Sequence, residues 1–263
     1  SVITMKKKIL LFVICYLFMT TSASASFFLG GTRLIYDANV GQGASIKIGN
    51  QEEGVDYLIQ SWVESPNPTW QDKAIFAVNP SEFKLSENRD SIITVTFSQN
   101  ATLLPKDRET MFWLNIKVMP VSQIETEQKL TDIDKYNKRQ KITRENPDFN
   151  KKKNRQYLLA FKNRVKLFYR PIGVAGNADT AYQEVKFIKE GNSLIVHNPT
   201  GYYITFASIK SGYKELLKNP MMLEPMHKTV MPLTTSVGDE ISWQAVDDRG
   251  KLTIQTSMSL SSI

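Results

Sequence analysis

The chain has 263 residues, 41% of them apolar, enough for real hydrophobic cores in one large domain or two ordinary ones. Its single cysteine, Cys15, falls in the leading apolar stretch, so the remainder has no disulfide, thiol nucleophile or zinc knuckle. Three units of the formal +7 charge are Lys6, Lys7 and Lys8, and segment 122–156 holds ten Lys/Arg against six Asp/Glu; the rest is balanced and offers no basic face for nucleic acid.

Residues 1–25 read as a signal peptide. Lys6-Lys7-Lys8 form the positive start, 9–19 the apolar run, and Ala23-Ser24-Ala25 the small-residue cleavage signal before Ser26. Eleven apolar residues are too few to cross a bilayer core, which takes about 20. Beyond them, short strand-forming runs alternate with turn residues, and no stretch of ten or more keeps a helical period. Strands are predicted at 32–36, 44–48, 57–64, 76–78, 91–97, 112–118 and 157–169, with Phe27-Phe28-Leu29 extending the first. Alternation is clearest at Ile93, Val95 and Phe97 and at Phe112, Leu114, Ile116 and Val118. About seven short strands and one insertion predict an immunoglobulin-like sandwich. Pro66, Pro68, Pro80 and Pro105 fall between strands, where a missing N–H does least harm.

The insertion, 122–155, is polar and charged, with Ile124, Leu130, Ile133, Ile142 and Phe149 too sparse for a helical period. It reads as a solvated loop that a partner could order. In the strand after it, Tyr157, Leu159 and Phe161 occupy every second position and so share one face. A row of bulky apolar groups after a long loop suits a strand whose outer neighbour comes from another molecule. Arg170-Pro171-Ile172-Gly173 closes this set, and the small residues up to Ala178 mark a boundary, giving domains at 26–173 and 174–263. The second is predicted as a smaller sandwich with strands at 184–189, 193–198, 202–210, 240–246 and 252–256.

Catalytic constellations are scarce. His197 and His227 lack metal-ligand spacing and read as surface or turn residues, and no G-x-S-x-G, phosphate-binding loop or dinucleotide glycine pattern occurs. The turn 104–109 holds two acids and two bases, which reads as ion pairing at a domain edge. Arg33 and Lys166 lie within strands, and by themselves read as ordinary strand cations facing water.

Four segments change that reading. GTRLIY (31–36), YLIQSW (57–62), LPKDRETMFWLNIKVMP (104–120) and VKLFYRP (165–171) follow in an order that resembles the periplasmic pilus chaperones of the chaperone–usher pathway, and HNPTGYYIT (197–205) resembles them more weakly. The resemblance implies two immunoglobulin-like domains set at an angle around a cleft. It implies a periplasmic chaperone, not an enzyme and needing no cofactor or metal, that lends a strand to a fimbrial or fibre subunit lacking one and delivers it to an outer-membrane usher. Strand addition of this kind is a general recognition mode, chaperone–pilin pairs being a standard example. By that likeness Tyr157, Leu159 and Phe161 are the plug, Arg33 and Lys166 hold the subunit's terminal carboxylate, and Glu109, Arg170 and Asp248 form an ion network between the domains. Because Lys166 has the opposite strand parity to Leu159, a bulge or strong twist is expected between them, or else a cleft that wraps around the strand.

The long insertion resembles the long-loop branch of that family, which commonly carries a disulfide across the loop; this chain has no cysteine there. An unloaded donor strand would also be an edge prone to self-association. The alternative is a two-domain immunoglobulin-like adhesion or binding module, which would use end loops such as 63–70, and fold alone does not separate the two.

Overall fold

The structure, a computed structural model, describes residues 27–71, 74–98, 104–122 and 160–260. The signal peptide, Tyr157, Leu159 and all but the first residue of the 122–155 insertion lie outside these residues.

Among the described residues the first half forms nine strands: β1 (Phe27–Leu29), β2 (Arg33–Asp37), β3 (Ala44–Asn50), β4 (Tyr57–Glu64), β5 (Phe76–Asn79), β6 (Glu82–Leu85), β7 (Arg89–Phe97), β8 (Thr110–Pro120) and β9 (Phe161–Arg170). They pair as two sheets, β1-β3-β7-β5 and β2-β9-β8-β4-β6. Period-two patterning decides which faces meet. Ile93 and Val95 of β7 are fully buried while Ile92 stays exposed, and Leu114, Ile116 and Val118 of β8 close the core from the other sheet. Each such side chain contributes about 1.5–3 kcal/mol. The sandwich rests on this packing.

The chain start departs from the expected extension of the first strand. Phe27–Leu29 pairs antiparallel with Asn50–Ile48 of β3, in the opposite sheet to β2. The crossing happens at Gly30 and Gly31. The Gly30 N–H donates to the Lys47 carbonyl at 2.7 Å, and a Cβ there would lie 3.1 Å from that same oxygen. Phe28 then lies over Gly49, whose own Cβ would occupy the ring position. At Gly30 a side chain would be a tight fit, and at Gly49 it would displace the Phe28 ring from this position.

The second half builds a smaller sandwich from β10 (Lys186–Glu190), β11 (Ser193–Asn198), β12 (Ile204–Ser211), β13 (Lys214–Glu215), β14 (Met221–Leu223), β15 (His227–Pro232), β16 (Glu240–Ala245) and β17 (Thr256–Ser259). One sheet is β10-β11-β15; the other runs β13-β12-β16-β17, with β14 also pairing β12. Phe187, Leu194, Phe206, Ile209, Ile241 and Trp243 fill the core, and the Trp243 indole donates to the Tyr182 carbonyl at 2.9 Å. The strand expected at 252–256 is instead one bridge, Val246 to Leu252, before β17 begins. Asp247 explains this. Its Oδ1 accepts from the Arg249 and Lys251 amides, closing a turn that leaves Leu252 and Ile254 exposed.

The two sandwiches meet through backbone. The Glu109 N–H donates to the Gly201 carbonyl at 2.8 Å, and a Cβ on Gly201 would stand 2.8 Å from the Asp107 carbonyl and 2.7 Å from Val174. Beside it the Phe168 and Tyr203 rings pack at 5.2 Å. Gly201→Ala is therefore expected to prise this junction apart without disturbing either core. Hydrogen exchange should show faster exchange at the Glu109 and Tyr203 amides while Leu114 and Ile209 keep their protection; unchanged exchange at the first pair would refute the contact.

Candidate functional site

On one side β9 pairs with β8 in an unbroken antiparallel ladder from Phe161↔Val118 to Tyr169↔Thr110. On the other side β2 runs parallel to it, but only from Arg33↔Lys166 to Asp37↔Arg170. Carried back in the same register, 27–29 would have lain against 160–162; the crossing to the other sheet removes that cover. Among the described residues, the 161–165 edge of β9 has no strand beside it.

The ladder shows no bulge within 161–169, and Leu159 lies outside the described residues. Odd positions of β9 (Phe161, Val165, Leu167, Tyr169) face the core and even ones (Lys162, Arg164, Lys166, Phe168, Arg170) face outward. Phe161 is partly buried, with its ring 5.5 Å from that of Phe27 and 6.5 Å from that of Tyr57. A strand's terminal carboxylate belongs to the backbone, not to either face. A plug on one face and cations on the other can therefore serve the same guest strand.

Arg33 and Lys166 are cross-strand neighbours on the outward face, where the open edge begins. Arg33 donates from one terminal nitrogen to the Val246 carbonyl of the second sandwich at 3.1 Å, and its buried Nε has no hydrogen-bond partner among the described residues. Burial pushes its pKa down, against the pull of Asp248, Asp247 and Glu109. Lys166 is pushed down by burial and by Arg33 itself, and no acid pairs with it among the described residues. Two partly desolvated cations without a matched counter-charge form an anion site.

Behind them, Arg170 joins three elements. Its Nε donates to Glu109 Oε1 at 2.8 Å, and its two terminal nitrogens grip Asp248 at 2.9 and 3.0 Å. Glu109 Oε2 accepts from the Tyr203 amide at 2.8 Å, so one carboxylate touches both sandwiches. Burial pushes the Glu109 carboxyl up, opposed by Arg170 and that amide. For Arg170 burial opposes the charge, yet Asp248 and Glu109 outweigh it and the pKa rises. With Arg33, Phe168 and Tyr203 these groups line a cavity of about 30 Å³ at the junction.

Several participants were not visible in the sequence. The Val246 carbonyl and Tyr203 amide are backbone groups carrying no residue signal. The outward row itself was legible, because Lys162, Arg164 and Phe168 share the parity of Lys166.

Comparison with known proteins agrees along the chain. The family described as "Pili and flagellar-assembly chaperone, PapD N-terminal domain" matches residues 26–175, and "Pili assembly chaperone PapD, C-terminal domain" matches 180–257. The chaperone protein FimC of Escherichia coli is 31% identical over 231 residues, covering 88% of this chain and 83% of that one. Among solved structures, the periplasmic chaperone SfaE is similar with a TM-score of 0.64 and 28% identity, covering 87% of this chain and 96% of its own. The Salmonella enterica SafB chaperone, solved with the SafA pilin, gives a TM-score of 0.67 and 26% identity over 89% of this chain and 96% of the matched one.

Arg170→Leu should strand Glu109 as a buried, uncompensated charge and destabilise the protein by about 3 kcal/mol at pH 7. The folded-state pKa of Glu109 is already raised, and losing Arg170 raises it further. The variant's deficit is therefore full at neutral pH and shrinks as pH falls through that raised pKa, when the carboxyl takes a proton. Urea unfolding of both proteins at pH 7 and pH 5 checks this; a deficit that grows towards pH 5 contradicts the assignment.

Proposed function

The chain belongs to the pili assembly chaperone family, and from that premise we propose that it is a periplasmic chaperone that completes fimbrial or surface-fibre subunits with its own β9 strand and hands them to an outer-membrane usher. The observation that carries this reading is the early stop of β2 at Arg33, which among the described residues leaves the 161–165 edge uncovered beside two cations without an ion-pair partner. The solved pairing of SafB with a pilin supports the same kind of client.

A guest strand seated on that edge would continue the line of β2. Its orientation follows from charge. Running parallel to β9, it brings its C-terminal carboxylate to Arg33 and Lys166; running antiparallel, it brings an ammonium group to the same cations. Backbone ladder bonds then supply affinity with little sequence demand, and the carboxylate sets the register. Phe161, with Leu159 and Tyr157 at the same parity, is the row that fills the guest's core, and a slip of one residue would turn it away. Glu109, Arg170 and Asp248 hold the domain angle on which the position of Arg33 depends. The work is binding, with no catalytic step and no cofactor.

Lys166→Ala is the cleanest test, since no internal partner is lost. Co-expressed with its fibre subunit, it should recover at least about tenfold less complex, the value of a charge-assisted bond, with its thermal midpoint unchanged. Arg33→Ala should act likewise, and Leu159→Asp should abolish the complex. Normal subunit recovery by both cation variants would falsify the anchor.

A further inference from the structure

The outward face of the β4-β8-β9 region carries a second set of side chains that the carboxylate anchor does not use. Cross-strand rows place Gln60, Lys117 and Lys162 together, then Trp62, Asn115 and Arg164, then Glu64, Trp113 and Lys166. The cations lie on aromatic faces: Arg164 is 4.5 Å from the Trp113 ring centroid and Lys162 is 5.0 Å from that of Trp62. Beneath them Asn115 is fully buried, donates to Glu64 Oε2 at 3.2 Å, and leaves its own Oδ1 without a partner among the described residues. Among the described residues Glu64 is the one carboxylate within ion-pair reach of both cations, and it stands 3.9 Å from Arg164 and 4.0 Å from Lys162, beyond hydrogen-bond length. Neither cation donates a hydrogen bond to any described residue. Arg164 thus presents a guanidinium seated on the Trp113 ring whose donors make no hydrogen bond to a described side chain.

We propose that Lys162 and Arg164 form a charge-reading row that favours guest strands bearing carboxylates on their outward-facing positions; this rests on the reading of β9 as a lent strand. Neighbouring strands place same-face side chains about 4.5–5.5 Å apart. A guest on the open 161–165 edge therefore sets its outward residues directly beside Lys162 and Arg164. Glu64 stands beyond hydrogen-bond length of both cations, so an arriving carboxylate meets donors that it does not saturate. The core face selects by shape, and this outer row selects by charge.

The test uses two fluorescent synthetic peptides with alternating apolar residues and a free C-terminal carboxylate, one with glutamate and one with serine at two outward positions. Anisotropy titration of the intact protein should show the glutamate peptide binding about tenfold more tightly. Arg164→Gln should reduce the glutamate peptide to the serine value and leave the serine peptide unchanged, while circular dichroism stays as in the parent. Equal affinity for both peptides, still lost in Lys166→Ala, overturns the charge row and spares the strand-lending reading. An equal loss of both peptides in Arg164→Gln also overturns it. Binding of neither peptide by the parent protein overturns both readings together.

Discussion

The structure depends on where one strand stops. β2 covers β9 only as far as Arg33, because the chain before it crosses to the other sheet at Gly30 and Gly31. Had Phe27–Leu29 continued straight, those backbone groups would be paired internally and nothing would be left to offer. An open edge is normally a hazard, and proteins blunt such edges with charge. Here the outward side chains along the open stretch are Lys162 and Arg164. A second copy brought edge to edge would set like charges against like, whereas an acidic guest would not. The same two residues that would welcome a client thus disfavour self-pairing.

The second sandwich has no open edge at this site, yet it fixes the site's geometry. Arg33 is tied to the Val246 carbonyl, and the Asp247–Gly250 turn lies against the residue before it: a Cβ on Gly250, already at φ +80°, would sit 2.8 Å from the Thr32 hydroxyl. Rotation of one sandwich on the other would pull the Arg33 guanidinium from the Val246 carbonyl that orients it. The Glu109–Arg170–Asp248 network works against that rotation. Desolvation offsets much of what such a network gains in stability, and the raised Glu109 pKa is a sign of that cost. Its physical return is orientation.

Much of the fold was legible from period-two patterning. β4 and β11 match the predicted bounds, β3, β5, β7 and β8 extend by one to four residues where pairing continues past the apolar signal, and β16 ends one residue short. What escaped was short or weakly patterned. β6 and β13 to β15 are strands because a neighbour offers a ladder, not because their residues alternate; β15 is largely exposed along its length. The crossing at Gly30 was missed because Phe27-Phe28-Leu29 has no alternation to assign it to a sheet. At the site, Arg33, Lys166, Glu109 and Arg170 came from the family resemblance, and the structure brings Glu109 and Arg170 together with Asp248, the residue with the shortest sequence context. Their backbone partners could not be read from residue identity at all.

Parity ties these features together. A bulge is needed only if plug and anchor share a face; the ladder is regular over 161–169, and a guest's terminal carboxylate belongs to neither face. If β9 is lent as proposed, its core-facing positions would meet a guest's interior, its outward positions the guest's surface side chains, and the guest's strand end would meet the cations in the plane of the sheet. Those are three separable contacts on ten residues of β9, each governed by a different interaction: dispersion and burial, screened charge, and a desolvated ion pair. A wrong register sacrifices the end contact first, because the carboxylate is a single point while the ladder repeats. Correct seating can thus be enforced where backbone hydrogen bonding alone is indifferent, which is what strand addition to clients of differing sequence demands.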